Sequence, residues 1–150
     1  MSFLRSIAWT GVKLFLRMQF SDVAHLSPTD LANWLAQAEN PPFLLDARTA
    51  EEYAVSHLPN AHLVPKSPPY ISGAELDSET PIVVYCSIGY RSAVLARKLQ
   101  AAGYKTVFNL EGSIFQWANE GHPVFQNRQV VNQVHPYNAH WGKLLNPEYR

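Results

Sequence analysis

The stretch of this sequence best suited to chemistry is a loop that begins at its only cysteine, Cys86. The apolar run 82–85 precedes the cysteine, and a helix-like run follows from about Ser92. Ligands of α/β proteins bind beyond the carboxyl ends of strands, and a loop that leads directly into a helix presents backbone N–H groups to an anion. That field, together with Arg91, favours the thiolate form of cysteine, which is its nucleophilic form. We therefore predict that Cys86 is a nucleophile, with an inert buried cysteine as the alternative.

The residues that follow Cys86 are predicted to form a cradle for an anion. Gly89 permits the sharp backbone turn that a closed cradle needs. A cation at the start of a helix opposes the helix dipole, so an anionic ligand or partner explains Arg91 better than a surface position does. The candidate active-site loop comprises Ser87, Ile88, Gly89, Tyr90, Arg91 and Ser92.

Composition excludes several classes of function. Basic and acidic residues balance at 12 each, so nothing in the net charge attracts nucleic acid. A single cysteine cannot form a disulfide within the chain or an all-cysteine metal site. His135 and His140 do not make a convincing metal site, and no cofactor motif is present. We expect a cytoplasmic protein, in a reducing compartment, without a metal or a cofactor.

Strand and helix patterns alternate along the chain, and the predicted elements position the loop that begins at Cys86. Strands are predicted at 23–26, 43–46, 62–64, 82–85 and 106–110, and helices at 28–39, 50–55, 92–102 and 113–120. Ser27 is a candidate N-cap, and Thr49 with Glu52 forms a capping box. A long loop at 65–80 is either a surface connection or the border of a substrate opening. Such alternation predicts a three-layer α/β/α domain with a five-stranded, mainly parallel sheet at 21–125.

Two segments flank this domain. Residues 1–20 contain no acidic residue and predict an amphipathic helix, with an apolar face of Phe3, Leu4, Ile7, Gly11, Leu14, Phe15 and Met18. Three alternatives remain for this helix: docking on its own domain or on a second copy, peripheral contact with a membrane, or organelle targeting. Residues 126–150 have little periodicity but several aromatic side chains, which predicts an irregular strap packed on the domain.

Four segments carry a family resemblance: 44–53 (LLDARTAEEY), 57–61 (HLPNA), 86–92 (CSIGYRS) and 110–117 (LEGSIFQW). Between about residues 26 and 124, their order and spacing resemble a single-domain rhodanese of the thiosulfate sulfurtransferase family. The resemblance implies a five-stranded parallel α/β fold. It also implies that Cys86 accepts a sulfane sulfur, becomes a persulfide and passes the sulfur to a nucleophile. Asp46 and Arg48 match the Asp-x-Arg of that family, either as substrate contacts or as an ion pair that supports the loop.

The expected partners are a small sulfur anion or persulfide donor, and cyanide, a small thiol or a protein thiol as acceptor. Ile88 and Tyr90 make the loop less cationic than the thiosulfate dianion would favour. Related protein phosphatases have five residues between cysteine and arginine, whereas Cys86 and Arg91 are separated by four. We therefore predict a sulfurtransferase. The alternatives are a sulfur-carrier or non-catalytic interaction module and, less favoured, a phosphatase.

Overall fold

Five strands form one parallel sheet in a computed structural model that describes residues 2–37, 39–71 and 76–150. The strands are β1 (Ala24–Leu26), β2 (Phe43–Asp46), β3 (His62–Leu63), β4 (Ile82–Tyr85) and β5 (Val107–Leu110). Their spatial order is β1-β5-β4-β2-β3, and every neighbouring pair is parallel. The helices are α1 (Phe3–Gln19), α2 (Pro28–Ala36), α3 (Ala50–Val55), α4 (Tyr90–Ala101) and α5 (Ser113–Asn119). The predicted three-layer α/β fold is confirmed.

The central strand β4 explains why the core has two halves. All four of its residues are buried. Val83 and Tyr85 pack in one apolar cluster, and Ile82 and Val84 pack in the other. Successive side chains of a strand point to opposite faces, so a continuous apolar run requires a sheet that is covered on both sides. The carboxyl end of β4 is therefore held at the centre of the domain.

Helix boundaries follow local capping chemistry, and the two largest differences from expectation are in α4 and α2. Ser27 accepts a hydrogen bond from Asp30 N–H, and Thr49 and Glu52 form the predicted capping box. Helix α4 begins at Tyr90 rather than Ser92, because Gly89 at φ 119° ends the loop abruptly and is the N-cap. Helix α2 ends at Ala36, before the predicted end at residue 39; residue 38, like residues 72–75 of the long loop, lies outside the described residues.

The N-terminal helix α1 docks on its own domain through Trp9 and Leu16, which are buried. The Trp9 indole N–H donates to the carbonyl of Leu144, and Arg17 forms an ion pair with Glu111. The predicted apolar face is not the docked face: Phe3, Leu4, Ile7, Leu14, Phe15 and Met18 stay exposed. Contact of this face with a membrane or a second copy stays a prediction. Among the described residues, no helix combines the length and apolarity needed to span a bilayer.

The C-terminal extension contains regular structure that its sequence did not reveal. A hairpin of β6 (Val124–Gln126) and β7 (Gln129–Val131) is joined by Asn127 and Arg128, at φ 50° and 66°. Positive φ at both turn residues is what a tight two-residue hairpin requires, and it lets an otherwise irregular segment form strands. Two 3₁₀ helices follow at Trp141–Leu144 and Pro147–Tyr149. Buried Val134, Leu144 and Leu145 attach the extension to the core.

Candidate active site

Cys86 lies directly after β4, at the floor of a cavity of about 170 Å³. The residue is only 1% exposed. The cavity is lined by Cys86, Ser87, Ile88, Tyr90 and Arg91, together with Tyr137 and Trp141 of the C-terminal extension. Five of the seven predicted site residues of the loop thus meet around one opening. The other two, Gly89 and Ser92, contact the sulfur from the protein side.

The Cys86 sulfur accepts a backbone hydrogen bond and lies beside a serine hydroxyl. The N–H of Gly89 donates to Sγ at 3.1 Å, and the hydroxyl of Ser92 lies 3.4 Å from Sγ. The carbonyls of Cys86 and Ser87 accept hydrogen bonds from the N–H groups of Ile114 and Phe115 in α5, each at 3.1 Å. The first N–H groups of α4 have no partner within the helix and carry the positive end of its dipole. The loop is therefore built to stabilise negative charge on sulfur.

Buried polar residues behind the loop hold it in place. Ser92 Oγ donates to Asn109 Oδ1 at 2.6 Å, and Asn109 Nδ2 donates to the carbonyl of Gly89 at 3.0 Å. Ser113 Oγ accepts the N–H of Cys86 at 3.1 Å and donates to the carbonyl of Leu110 at 3.0 Å. Sequence reasoning missed Asn109 and Ser113. Asn109 could have been found because it is a polar residue within an otherwise apolar predicted strand. A polar side chain buried in a sheet needs hydrogen-bond partners.

Glu52 supplies the negative charge that pairs with Arg91 at the start of α4. Its two carboxylate oxygens accept hydrogen bonds from Arg91 Nη1 and Nη2, both at 2.9 Å. Glu52 also accepts from Ser87 Oγ at 3.2 Å, and it caps α3 through Thr49. Burial by itself would raise the pKa of Glu52, but the hydrogen bonds from Arg91 and Thr49 outweigh it and lower the pKa to about 2. One carboxylate thus caps a helix and compensates the charge of the active-site arginine.

This carboxylate predicts a defined loss of stability in acid. A carboxylate whose pKa is lower in the folded state stabilises the fold above its ordinary pKa. The folded-state pKa of Glu52 is about 2 against an ordinary 4.5, so its contribution is present above pH 4.5 and is lost as the pH falls through 2. We expect Glu52→Gln to lower the free energy of unfolding at pH 7 by about 3 kcal/mol, and by less at pH 2 to 3.

Urea unfolding at pH 7, 4, 3 and 2 measures this effect. Glu51→Gln is the matched control, because Glu51 is the neighbouring residue on the same helix and is exposed. We expect the control to keep the stability of the parent protein across the series. A Glu52→Gln deficit that stayed constant from pH 7 to pH 2 would contradict the assigned protonation.

Asp46 and Arg48 lie beside the site but do not line the Cys86 cavity. Arg48 Nε and Nη2 donate to the two oxygens of Asp46 at 2.9 and 2.7 Å, and both side chains are completely buried. Tyr85 donates its hydroxyl to Asp46 at 2.5 Å. Burial opposes the charge on Arg48, but the carboxylate of Asp46 holds the pKa of Arg48 above its ordinary value. Burial and the charge of Asp46 both raise the pKa of Tyr85. Asp46 and Arg48 thus form a buried ion pair at the end of β2, next to Tyr85 of β4; whether either side chain contacts a substrate stays a prediction.

Both terminal segments contribute to the site, which the sequence did not indicate. A Cβ atom on Gly89 would lie 3.2 Å from Leu16 of α1, so the helix closes directly on the active-site loop. Phe20 packs edge-on against Tyr90, with 5.6 Å between ring centroids. Tyr137 stacks on the guanidinium of Arg91 at 4.7 Å. These contacts join residues that are far apart in the chain, so no local pattern predicts them.

Comparison with known proteins identifies a matching family model, a similar protein sequence and a similar solved structure. The family model for the rhodanese-like domain matches residues 27–120. A sulfurtransferase of Allochromatium vinosum is 34% identical over 107 residues, which make up 68% of this chain and 94% of that protein. The solution structure of a polysulfide-sulfur transferase homodimer from Wolinella succinogenes is 27% identical, with a TM-score of 0.61. That alignment covers 76% of this chain and 89% of the other.

Other relatives are much longer than this chain. The adenylyltransferase and sulfurtransferase uba4 of Ogataea parapolymorpha is 30% identical over 89 residues. The match covers 59% of this chain but 23% of that protein. The chain thus spans about a quarter of the length of such relatives, and the similarity is to that part of them only.

Proposed function

This chain belongs to the rhodanese-like domain family, and from that premise we propose that it transfers a sulfane sulfur through a persulfide on Cys86. The observation that carries the proposal is the placement of the Cys86 sulfur. It lies at the carboxyl end of the central strand and accepts the Gly89 N–H at 3.1 Å, beneath an open cavity. Backbone donors at such a position stabilise negative charge as it develops on sulfur.

The proposed reaction has two steps, each of which exchanges one sulfur bond for another. In the first, the Cys86 thiolate attacks the outer sulfur of the donor. The bond from that sulfur to the rest of the donor breaks, and the electron pair leaves with the donor fragment, which is sulfite when the donor is thiosulfate. In the second, an external nucleophile attacks the outer sulfur of the Cys86 persulfide and regenerates the thiolate. The covalent intermediate divides one transfer into two easier ones.

The acceptor must come from outside these 150 residues. No second cysteine is present in the sequence to take the sulfur. Cyanide, a small thiol or a protein thiol would discharge the persulfide. Curated relatives named as sulfurtransferases support this class of activity.

Intact-mass measurement tests the proposal directly. We expect the parent protein to gain the mass of one sulfur atom after exposure to a persulfide donor or, separately, to thiosulfate. Addition of cyanide should remove that mass and produce thiocyanate. A protein that gains no sulfur from either donor would contradict the proposal.

Two alternatives predict different results. A sulfur carrier that acts only between proteins would gain no sulfur from these small donors and would form no thiocyanate. A phosphatase would hydrolyse a generic aryl phosphate, for which we expect no turnover. The four residues between Cys86 and Arg91 make a smaller loop than the five-residue phosphatase loop that encircles a tetrahedral phosphate, and favour sulfur.

A further inference from the structure

The C-terminal extension contributes two aromatic side chains to the cavity of Cys86. Tyr137 and Trp141 line this cavity together with Ile88 and Tyr90. Four of the seven lining residues are therefore aromatic or aliphatic, and three of those four are aromatic. Gly89 and Ser92 contact the sulfur from the other side of the loop. Tyr137 stacks on Arg91, and both Tyr137 and Trp141 also line the space that a ligand of Cys86 would enter.

The segment that carries these aromatic residues is attached to the domain on both sides of Tyr137 and Trp141. Val134 is fully buried and its N–H donates to the carbonyl of Tyr149 at 2.7 Å, while Leu144 and Leu145 are buried beyond Trp141. Tyr137 has φ 66°, a left-handed conformation that is unfavourable for a side chain of this size. Such strain persists where the surrounding structure imposes it, and it is concentrated at functional sites. The backbone that carries Tyr137 and Trp141 is thus held against the domain by contacts on both sides of these residues.

The charge in the cavity does not suit a dianion. Of the described residues that line it, Arg91 alone is charged, and both terminal nitrogens of Arg91 are already bound to Glu52. The positive charge is therefore balanced within the protein, and only backbone dipoles remain to hold an anion. A larger cleft of about 400 Å³ on the other side of Arg91 contains Lys66 and Lys98, but Cys86 does not line it. A second negative charge on the donor would therefore add little to its binding free energy in the Cys86 cavity.

The volume of the cavity is sufficient for a small ring. A cavity of ~150 Å³ with apolar walls accommodates a benzene molecule. The Cys86 cavity measures about 170 Å³. It therefore has room for one ring beside the reacting sulfur. Stacking on Tyr137 or Trp141 would add to the burial of such a ring.

We propose that Tyr137 and Trp141 form a binding site for the organic group of the sulfur donor. The inference rests on the proposed function and specifies its substrate class. The donor is a singly charged sulfane-sulfur compound, an organic persulfide or thiosulfonate, whose organic group is compact and apolar or aromatic. With a thiosulfonate, the Cys86 thiolate takes the outer sulfur and the sulfinate leaves with the electron pair of the broken sulfur–sulfur bond.

Two thiosulfonates that differ only in their organic group test the proposal. We measure kcat/KM for benzenethiosulfonate and for methanethiosulfonate with cyanide as acceptor, in the parent protein and in Tyr137→Ala. The ratio of the two values should fall about tenfold in the variant, which is the usual effect of a lost apolar contact. Comparing ratios between proteins cancels the intrinsic reactivity of each donor. Urea unfolding of Tyr137→Ala, compared with that of the parent, shows separately whether the variant is folded.

Further variants separate an aromatic site from a general effect. Tyr137→Phe should keep the ratio of the parent, because the ring remains. Trp141→Leu should lower the ratio, as Tyr137→Ala does. Phe15→Ala is the matched control, since Phe15 is an aromatic residue 55% exposed on α1 and does not line the cavity. An unchanged ratio in both Tyr137→Ala and Trp141→Leu would overturn the inference. Sulfur loading of Cys86 in those same samples would leave the proposed function standing, whereas no loading from any donor would overturn both.

Discussion

Replacing Cys86 with serine is expected to abolish sulfur transfer while leaving the fold intact. Serine has nearly the same shape, and its hydroxyl can accept the Gly89 N–H that the sulfur accepts in the parent. It cannot form a persulfide. Loss of a covalent nucleophile commonly costs at least about a thousandfold in kcat, so we expect thiocyanate formation from thiosulfate or an organic persulfide to fall to background.

Thiocyanate formation and intact mass together measure this outcome. Urea unfolding of Cys86→Ser should match that of the parent, which would assign the loss to chemistry rather than to folding. Ser56→Ala is a useful control, since Ser56 is buried outside the Cys86 cavity, and its variant should still load one sulfur. Activity of Cys86→Ser equal to that of the parent would remove Cys86 from the mechanism.

The largest effect on stability is expected at Asp46. In Asp46→Ala the guanidinium of Arg48 keeps its charge but loses the carboxylate that both Nε and Nη2 contact. Both side chains are completely buried, so water cannot replace that partner. Breaking a buried pair in this way costs about 3–5 kcal/mol, because it leaves one charge uncompensated. We expect the urea midpoint to fall accordingly.

An exposed pair of similar geometry provides the control. Arg97 donates to both oxygens of Asp22 through Nε and Nη2, at 2.7 to 3.0 Å. These side chains are 42% and 54% exposed, so water screens the pair and replaces its hydrogen bonds. Asp22→Ala should therefore leave the midpoint almost unchanged. Equal decreases in the urea midpoint for Asp22→Ala and Asp46→Ala would show that burial does not determine how much these ion pairs contribute to stability.

Features that depend on neighbouring residues were readable from the sequence. The apolar run of β4 predicted a strand covered on both faces, and β4 is the buried centre of the sheet. Ser27 and the Thr49–Glu52 box predicted the starts of α2 and α3, where both caps are found. The family segments also placed the cysteine loop at the end of β4. Strand burial, helix periodicity and capping involve residues only a few positions apart, so a sequence pattern encodes them directly.

Only the tertiary structure decided which side chains complete the site. Glu52 read as a helix cap, yet the fold brings it to Arg91, 39 positions away, where its carboxylate balances the active-site charge. Tyr137 belonged to a segment without a pattern, yet it lies over the cavity of Cys86. Helix α1 docks through Trp9 and Leu16, opposite the apolar face that its periodicity emphasised. Periodicity shows that a face is apolar, but only packing between distant segments determines which face is covered and which charges meet.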